Sequence, residues 1–282
     1  MRLMMVKAPE GDVLGVVKGD EVTLLPGKTL REVAAGGAAA LEDVAKAAAA
    51  APASAKHPFA SVKAAQPFLN HGKFICVGLN FTDHAKEGGN PIPDYPALFL
   101  RVHSSLIAHG EPLVAPKASH TFDYEAELTI VIGKGGRHIP EDKALDAVFG
   151  YTIFNDGSVR SYQRKSTQWT AGKNFDKTGP VGPWVVTSDE LPPGATGLGI
   201  RSILNGQVLQ NGTTDDFIFS VANVVSTISE IMTLEPGDMI ATGTPAGVGY
   251  PRKPPIFMKN GDEIVIEIDG IGRLVNPVVD EA

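Results

Sequence analysis

Cysteine is almost missing from this sequence: Cys76 is its one thiol in 282 residues. No intramolecular disulfide can form, and a cysteine-based zinc or iron-sulfur site is excluded. A reducing compartment, the cytosol, is therefore the expected location. Long hydrophobic runs are lacking too; no stretch of 18 apolar residues occurs, and Met1 to Glu10 has no apolar signal-peptide core. Membrane insertion is not expected. Positive charge is in deficit, with 25 Lys and Arg against 32 Asp and Glu and a net charge of -7. That sign is wrong for a general phosphate-backbone binder and no basic patch offsets it, so no nucleic-acid partner is expected.

What is present is an ordinary globular composition, 43% apolar and 20% charged, which can bury a substantial core. The 31 glycines and 21 prolines imply many turns and hence many strands. Residues 1–70 read as a small N-terminal α+β accessory domain. Val13 to Val17 and Val22 to Leu25 flank a Gly19-Asp20 turn, which predicts a hairpin. The Ala-rich Leu30 to Ala55 stretch predicts a helix broken in two at Gly36-Gly37.

Residues 71–282 read as mainly β. Strands are predicted at Phe74 to Val77, Val148 to Phe154 and Met239 to Ala241. Another runs from Phe122 to Ile132, where apolar residues alternate strictly. Asn205-Gly206, Asn260-Gly261 and Asp269-Gly270 predict hairpins. Helices are predicted around Glu141 to Ala147, Ser158 to Arg164 and Val221 to Met232, the last N-capped by Ser220. Without regular strand-helix alternation, a doubly wound sheet or a (β/α)8 barrel is not expected.

Several residues could carry chemistry. Glu125 and Glu127 share one face of a strand, with Cα atoms about 6.8 Å apart, and could converge on one hard cation; a solvated acidic face continued by Asp123 and Thr129 is the competing reading. Asp156 is either a turn or N-cap residue or a third carboxylate at the same end of the sheet, which would make a Mg²⁺ or Mn²⁺ site. Lys173 is either the cation that offsets the excess charge or a solvated loop lysine. His84 and Glu87 stand i, i+3 on a helical turn, where the carboxylate can orient the imidazole as a general base. Gly88-Gly89 and the Pro-rich Asn90 to Pro96 suggest a lid carrying that pair. The loop Thr242 to Gly249 fits neither a P-loop nor a dinucleotide fingerprint, yet its N–H groups and threonine hydroxyls, Thr244 among them, could cradle a carboxylate.

Taken together, Val77 to Phe81 with His84 and Glu87, Tyr124 to Leu128, Asp156, Lys173, Thr242 to Pro245 and Gly247 to Gly249 resemble the fumarylacetoacetate hydrolase family, over about residues 73–279. The resemblance implies a mixed β-sheet roll with a small N-terminal domain, homodimerisation and a Mg²⁺ or Mn²⁺ centre. It implies Glu125, Glu127 and Asp156 as metal ligands and Lys173 as the cation beside the substrate oxygen. It implies His84 and Glu87 as a water-activating dyad, with Arg160 and Gln163 near the substrate carboxylate. Leu79 occupies a site where some members have Arg. The expected activity is hydrolysis of a carbon-carbon bond in a 2,4-diketo acid, an acylpyruvate such as maleylpyruvate or fumarylpyruvate from aromatic catabolism, to pyruvate and a carboxylic acid. Oxaloacetate decarboxylation and 2-hydroxy-dienedioate isomerisation are the alternatives with the same metal-enolate chemistry.

Overall fold

The computed structural model describes residues 1–68 and 72–282. The division expected between residues 70 and 71 lies outside the described residues. Strand β1 (Arg2–Val6) precedes the predicted hairpin of β2 (Val13–Lys18) and β3 (Glu21–Leu25), and helix α1 (Leu30–Ala50) follows. Thr29 and Glu32 close a reciprocal capping box at the start of α1, and Gly37 kinks it at φ 57°. The kink falls at the glycine pair, as predicted, but the helix ends at Ala50, short of Ala55.

The remaining elements that shape the molecule are β4 (Phe74–Gly78), α2 (Thr82–Glu87), β5 (Ala126–Ile132) and β6 (Val148–Asn155). They continue with α3 (Arg160–Gln163), α4 (Thr170–Lys173), β7 (Gly179–Thr187), β8 (Gly199–Leu204) and β9 (Gln207–Thr213). The last are α5 (Val221–Ile231), β10 (Met239–Ala241), β11 (Glu263–Ile268) and β12 (Gly272–Asp280).

One large sheet runs β3-β2-β1-β7-β6-β5-β10-β4, extended by Lys56–Pro58 at the first end and Ala97–Leu100 at the other. A smaller one runs β9-β8-β11-β12 and ends on Leu113–Ala115. The fold is mainly β with mixed sheets and few helices, as expected. The two sheets pack face to face through Leu128, Ile130 and Ile132 of β5 against Ile200, Ile266 and Ile268. Val131 and Phe149 face the other way, onto Leu30, Val33 and Val44 of α1. Strand β5 is thus buried on both faces, with all seven of its residues inside.

This burial corrects the reading of a solvated acidic face: Asp123, Glu125, Glu127 and Thr129 are all buried. Nor is Phe122 to Ile132 one strand. Phe122–Asp123 pairs with Ser158–Val159, and β5 starts again at Ala126 against Asn155. Three further predictions are adjusted. Glu141–Ala147 is a 3-10 helix, and Ser158 to Arg164 opens as a strand before turning into α3. Asn260-Gly261 is a turn leading into β11 rather than a hairpin, because Pro254 and Pro255 remove donors that a preceding strand would need. The Asn205-Gly206 and Asp269-Gly270 hairpins are present. Among the described residues, no helix is long and apolar enough to cross a membrane.

Strand direction decides where the chemistry collects. β10 runs parallel to β4 and antiparallel to β5, and β6 runs antiparallel to β5. The carboxyl ends of β4, β6 and β10 therefore lie at the end of the sheet where β5 begins. The dependence of this arrangement on β5 is testable. Ile130 is fully buried between Tyr151 and Ile240, so Ile130→Ala should cost about 2–5 kcal/mol in urea unfolding; a loss below about 1 kcal/mol would show that β5 is not the core strand.

Candidate active site

Four chain segments bring side chains to that common end. The break in pairing after Asp123 lets Glu125 stand just ahead of β5, its N–H donating to the Asn155 side chain at 2.9 Å. Asp156 follows directly on β6 and donates its own N–H to the Glu125 carbonyl, 3.0 Å. Glu127 lies one residue into β5 and accepts from the Gly243 N–H at 3.0 Å. Carboxylate oxygens of Glu125, Glu127 and Asp156 all lie within 4.8 Å of one another, and all three residues are buried.

The cations around this cluster are equally buried. Lys173, at the end of α4, places its Nζ 2.5 Å from Glu125 and 2.6 Å from Asp156. It is no solvated loop lysine. Burial works to lower its pKa, and the attraction of Asp156 and Glu125 outweighs that and raises it. Arg160 opens α3 and pairs with Asp123 at 2.8 Å and Glu125 at 2.7 Å, while its Nη1 donates to Gln163 at 2.9 Å. Arg101, whose side chain is inaccessible, donates to Asp156 at 2.8 Å and to Thr178 at 3.0 Å.

The charges do not balance evenly. Burial alone would raise the Glu125 pKa, but Lys173 and Arg160 hold it down at about 2. Among the described residues Glu127 has no such cation partner, and burial together with Asp156 and Glu125 pushes it well above the carboxylate range. A hard dication takes oxygen ligands and supplies the positive charge that Glu127 lacks, so the donor set fits Mg²⁺ or Mn²⁺.

His84 and Glu87 lie on α2, which starts four residues past β4. His84 Nδ1 stands 3.6 Å from Glu87 Oε2, an ion-pair separation slightly beyond hydrogen-bond length. Both Glu87 oxygens accept from the Gly247 N–H at 3.0 Å. Burial would raise the Glu87 pKa; the His84 ring and the Gly247 N–H outweigh it and lower the pKa. The dyad is thus tied to the loop that follows β10.

Glu125, Glu127, Asp156, Arg160, Lys173, His84 and Glu87 line one cavity of about 520 Å³, together with Thr244, Gln163, Arg164, Trp169, Phe99, Leu79 and Tyr250. Every site residue singled out in the sequence lines it. Leu79 does so with φ 55°, a left-handed conformation uncommon outside glycine. Sequence reasoning passes over Arg101 and includes Asp123 only in the competing reading of a solvated face. Asp123 in fact accepts from Arg160, from the Gly249 N–H at 2.7 Å and from the Tyr250 N–H at 3.0 Å. Only glycine allows that approach, since a Cβ at residue 249 would stand 1.7 Å from the Ile256 carbonyl. Gln210 was missed as well; it accepts from the Ala126 N–H and donates to Thr244, fixing loop to strand. Asp123 falls on the polar phase of the alternation, so no local signal marks it.

The Glu127 shift sets a pH dependence. A carboxyl with a raised pKa favours the folded state while protonated, and this contribution is lost as pH rises through its folded value. Metal binding must displace that proton. In calorimetric melts, the Tm increase produced by Mn²⁺ should therefore grow from about pH 5 to about pH 8, and Glu127→Gln should flatten it. An increase that shrinks with rising pH would contradict a proton-linked site.

Comparison with known proteins agrees with the geometry. Residues 73–279 match the family model described as Fumarylacetoacetate (FAA) hydrolase C-terminal, a match that begins three residues after the division expected at residue 70. A relative from Xenopus laevis, oxaloacetate tautomerase fahd2, mitochondrial, is 43% identical over 215 residues, covering 76% of this chain and 67% of that protein. The crystal structure of maleylpyruvate hydrolase from Sphingobium sp. SYK-6 with manganese (II) ion and pyruvate superimposes with TM-score 0.83 at 30% identity, covering 100% of both chains. The 5-carboxymethyl-2-hydroxymuconate delta-isomerase from Mycobacterium smegmatis superimposes with TM-score 0.79 at 34% identity, again over 100% of both. These three relatives are enzymes of three kinds built on one fold, and this chain belongs to the fumarylacetoacetate hydrolase family.

Proposed function

We propose that this chain is a divalent-metal-dependent enzyme that moves a proton at the carbon beside the keto group of a 2-oxo acid, with keto-enol tautomerisation of oxaloacetate as the reaction. The observation that carries the reading is one cavity holding both the buried carboxylate cluster and the His84–Glu87 pair. The similarity to the Xenopus oxaloacetate tautomerase supports the choice of reaction. Glu125, Glu127 and Asp156 would hold the metal, Mg²⁺ or Mn²⁺. When bound, it supplies positive charge for the substrate's carboxylate and keto oxygens.

The chain's own groups carry the proton. His84, oriented by Glu87, takes a proton from C3; the C–H electron pair becomes the C2–C3 double bond, the carbonyl π pair moves onto the keto oxygen, and a proton from solvent makes it the enol hydroxyl. No atom is lost. Lys173 contributes a fixed positive charge where negative charge develops on that oxygen. Arg160, Gln163 and the Thr244 hydroxyl serve to bind the substrate.

The expected acylpyruvate hydrolysis is the second reading, favoured by the likeness to the Sphingobium maleylpyruvate hydrolase. There His84 would deprotonate water, the hydroxide would add to the distal carbonyl, and the carbon-carbon bond would break to give pyruvate enolate and a carboxylic acid. The homodimer and the cytosolic location belong to the proposal as well. Exposed Ile92, Tyr95, Leu100 and Val102 around the edge strand Ala97–Leu100 support self-association, whereas the Xenopus relative is mitochondrial by name.

Decay of the enol absorbance of oxaloacetate should accelerate with the Mn²⁺-loaded enzyme, while acylpyruvates stay intact. Release of pyruvate from acylpyruvates would establish the hydrolase instead, and CO₂ from oxaloacetate a decarboxylase. His84→Ala should lower turnover by about 10²-fold or more while Mn²⁺ still binds. Near wild-type turnover in that variant would remove the base role.

A further inference from the structure

The cavity wall holds three cations besides the histidine: Arg160, Lys173 and Arg164. Two are already committed, Arg160 to Asp123 and Glu125, and Lys173 to Glu125 and Asp156. Arg164 differs, because it has no carboxylate partner among the described residues. Its guanidinium lies over the Tyr250 ring, 4.7 Å from the centroid, and donates to the Tyr250 hydroxyl. Stacking of this kind fixes the plane of a guanidinium and leaves its other N–H groups free to make a fork.

Its position follows from α3. The Arg164 N–H donates to the Arg160 carbonyl at 3.2 Å, so the helical turn is complete between them. Residues four apart share a face, and four residues rise about 6 Å along the axis. Arg160 reaches the buried carboxylates, and Arg164 stands one turn further out, exposed at the cavity wall with Gln163 and Ser166. Tyr250, its stacking partner, is anchored by its N–H on Asp123, the carboxylate that also holds Arg160. A positive fork is thus built at a set offset from the buried cluster.

We infer that Arg164, braced by Tyr250, binds a second carboxylate at the far end of the substrate, so that the enzyme selects 2-oxo dicarboxylic acids over 2-oxo monocarboxylic acids. This rests on the 2-oxo acid reading above and adds the residue that recognises the rest of the molecule. A monocarboxylic 2-oxo acid fills only the inner part of the cavity and gains nothing from Arg164.

Two 2-oxo acids that enolisation regenerates unchanged test this on the Mn²⁺-loaded full-length chain by calorimetric titration: pyruvate, with one carboxylate, and 2-oxoglutarate, with two. Arg164→Met keeps an apolar stem over Tyr250 and removes the charge. It should weaken 2-oxoglutarate by about 10- to 100-fold, the worth of a charge-assisted hydrogen-bonded pair, and leave pyruvate within about twofold. Tyr250→Phe, which keeps the ring and removes the hydroxyl, should weaken 2-oxoglutarate by a smaller factor. Unchanged 2-oxoglutarate binding in Arg164→Met, or equal weakening of both ligands, overturns the assignment of Arg164. Failure of wild type to bind either ligand removes the 2-oxo acid reading itself, and this inference with it.

Discussion

Glu125, Glu127 and Asp156 place three carboxylates within 4.8 Å of one another in a buried site, and this crowding of like charge governs how the surrounding structure is built. At an effective dielectric constant of about 20, one such pair repels by roughly 3–4 kcal/mol. Charges so placed persist only where cations and hydrogen bonds surround them. Arg101, Arg160 and Lys173 are themselves buried and gather on two of the three carboxylates, Asp156 and Glu125. The third, Glu127, is left with the Gly243 N–H. The cluster is thus short of one positive centre, which a divalent cation supplies.

The scaffold holds that cluster from several directions. Strands β4 and β10 lie parallel near one end of the large sheet, beside the terminal strand Ala97–Leu100, and each ends in a loop above the cluster, one carrying α2 and the other Gly243 to Gly249. Glu87 ties the two loops together through the Gly247 N–H. Asp123 ties the second loop to α3 through Gly249, Tyr250 and Arg160. Trp169, which precedes α4, packs so closely on Gly78 that a Cβ there would lie 2.0 Å from the indole. The His84–Glu87 pair, the buried Arg160 and Lys173 and the loop that follows β10 therefore form one connected body, the rigid placement that chemistry between fixed groups requires.

Much of this was legible in the sequence. The hairpins at Gly19-Asp20, Asn205-Gly206 and Asp269-Gly270 follow from turn chemistry, and α5 follows from its periodicity and the Ser220 cap, which accepts from the Asn223 N–H. The i, i+3 spacing of His84 and Glu87 needed only one helical turn to bring the pair together. Asp123 and Arg101 were not legible, because a charged residue reads as solvated until its partner is known. Arg101 lies 55 residues from Asp156, and Arg160 lies 37 residues from Asp123. Such pairs arise from strand order, which local pattern does not specify. Asn260-Gly261 misled for a related reason: the dipeptide makes a turn, but the neighbouring prolines leave no strand to complete the hairpin.

The sequence by itself determined the kinds of group available, namely one thiol, an acidic surplus, a His–Glu pair one turn apart and carboxylates at Glu125, Glu127 and Asp156. It also determined that turns and strands would dominate, since glycine, proline and alternation act over a few residues. Tertiary structure alone decided that those carboxylates are buried rather than solvated, that Lys173 and Arg160 pair with Glu125 and Lys173 with Asp156, and that Glu127 has no ion-pair partner among the described residues. Burial and electrostatic pairing depend on which strands lie side by side. Only the assembled sheet, with β5 covered on both faces, made the acidic residues a single centre.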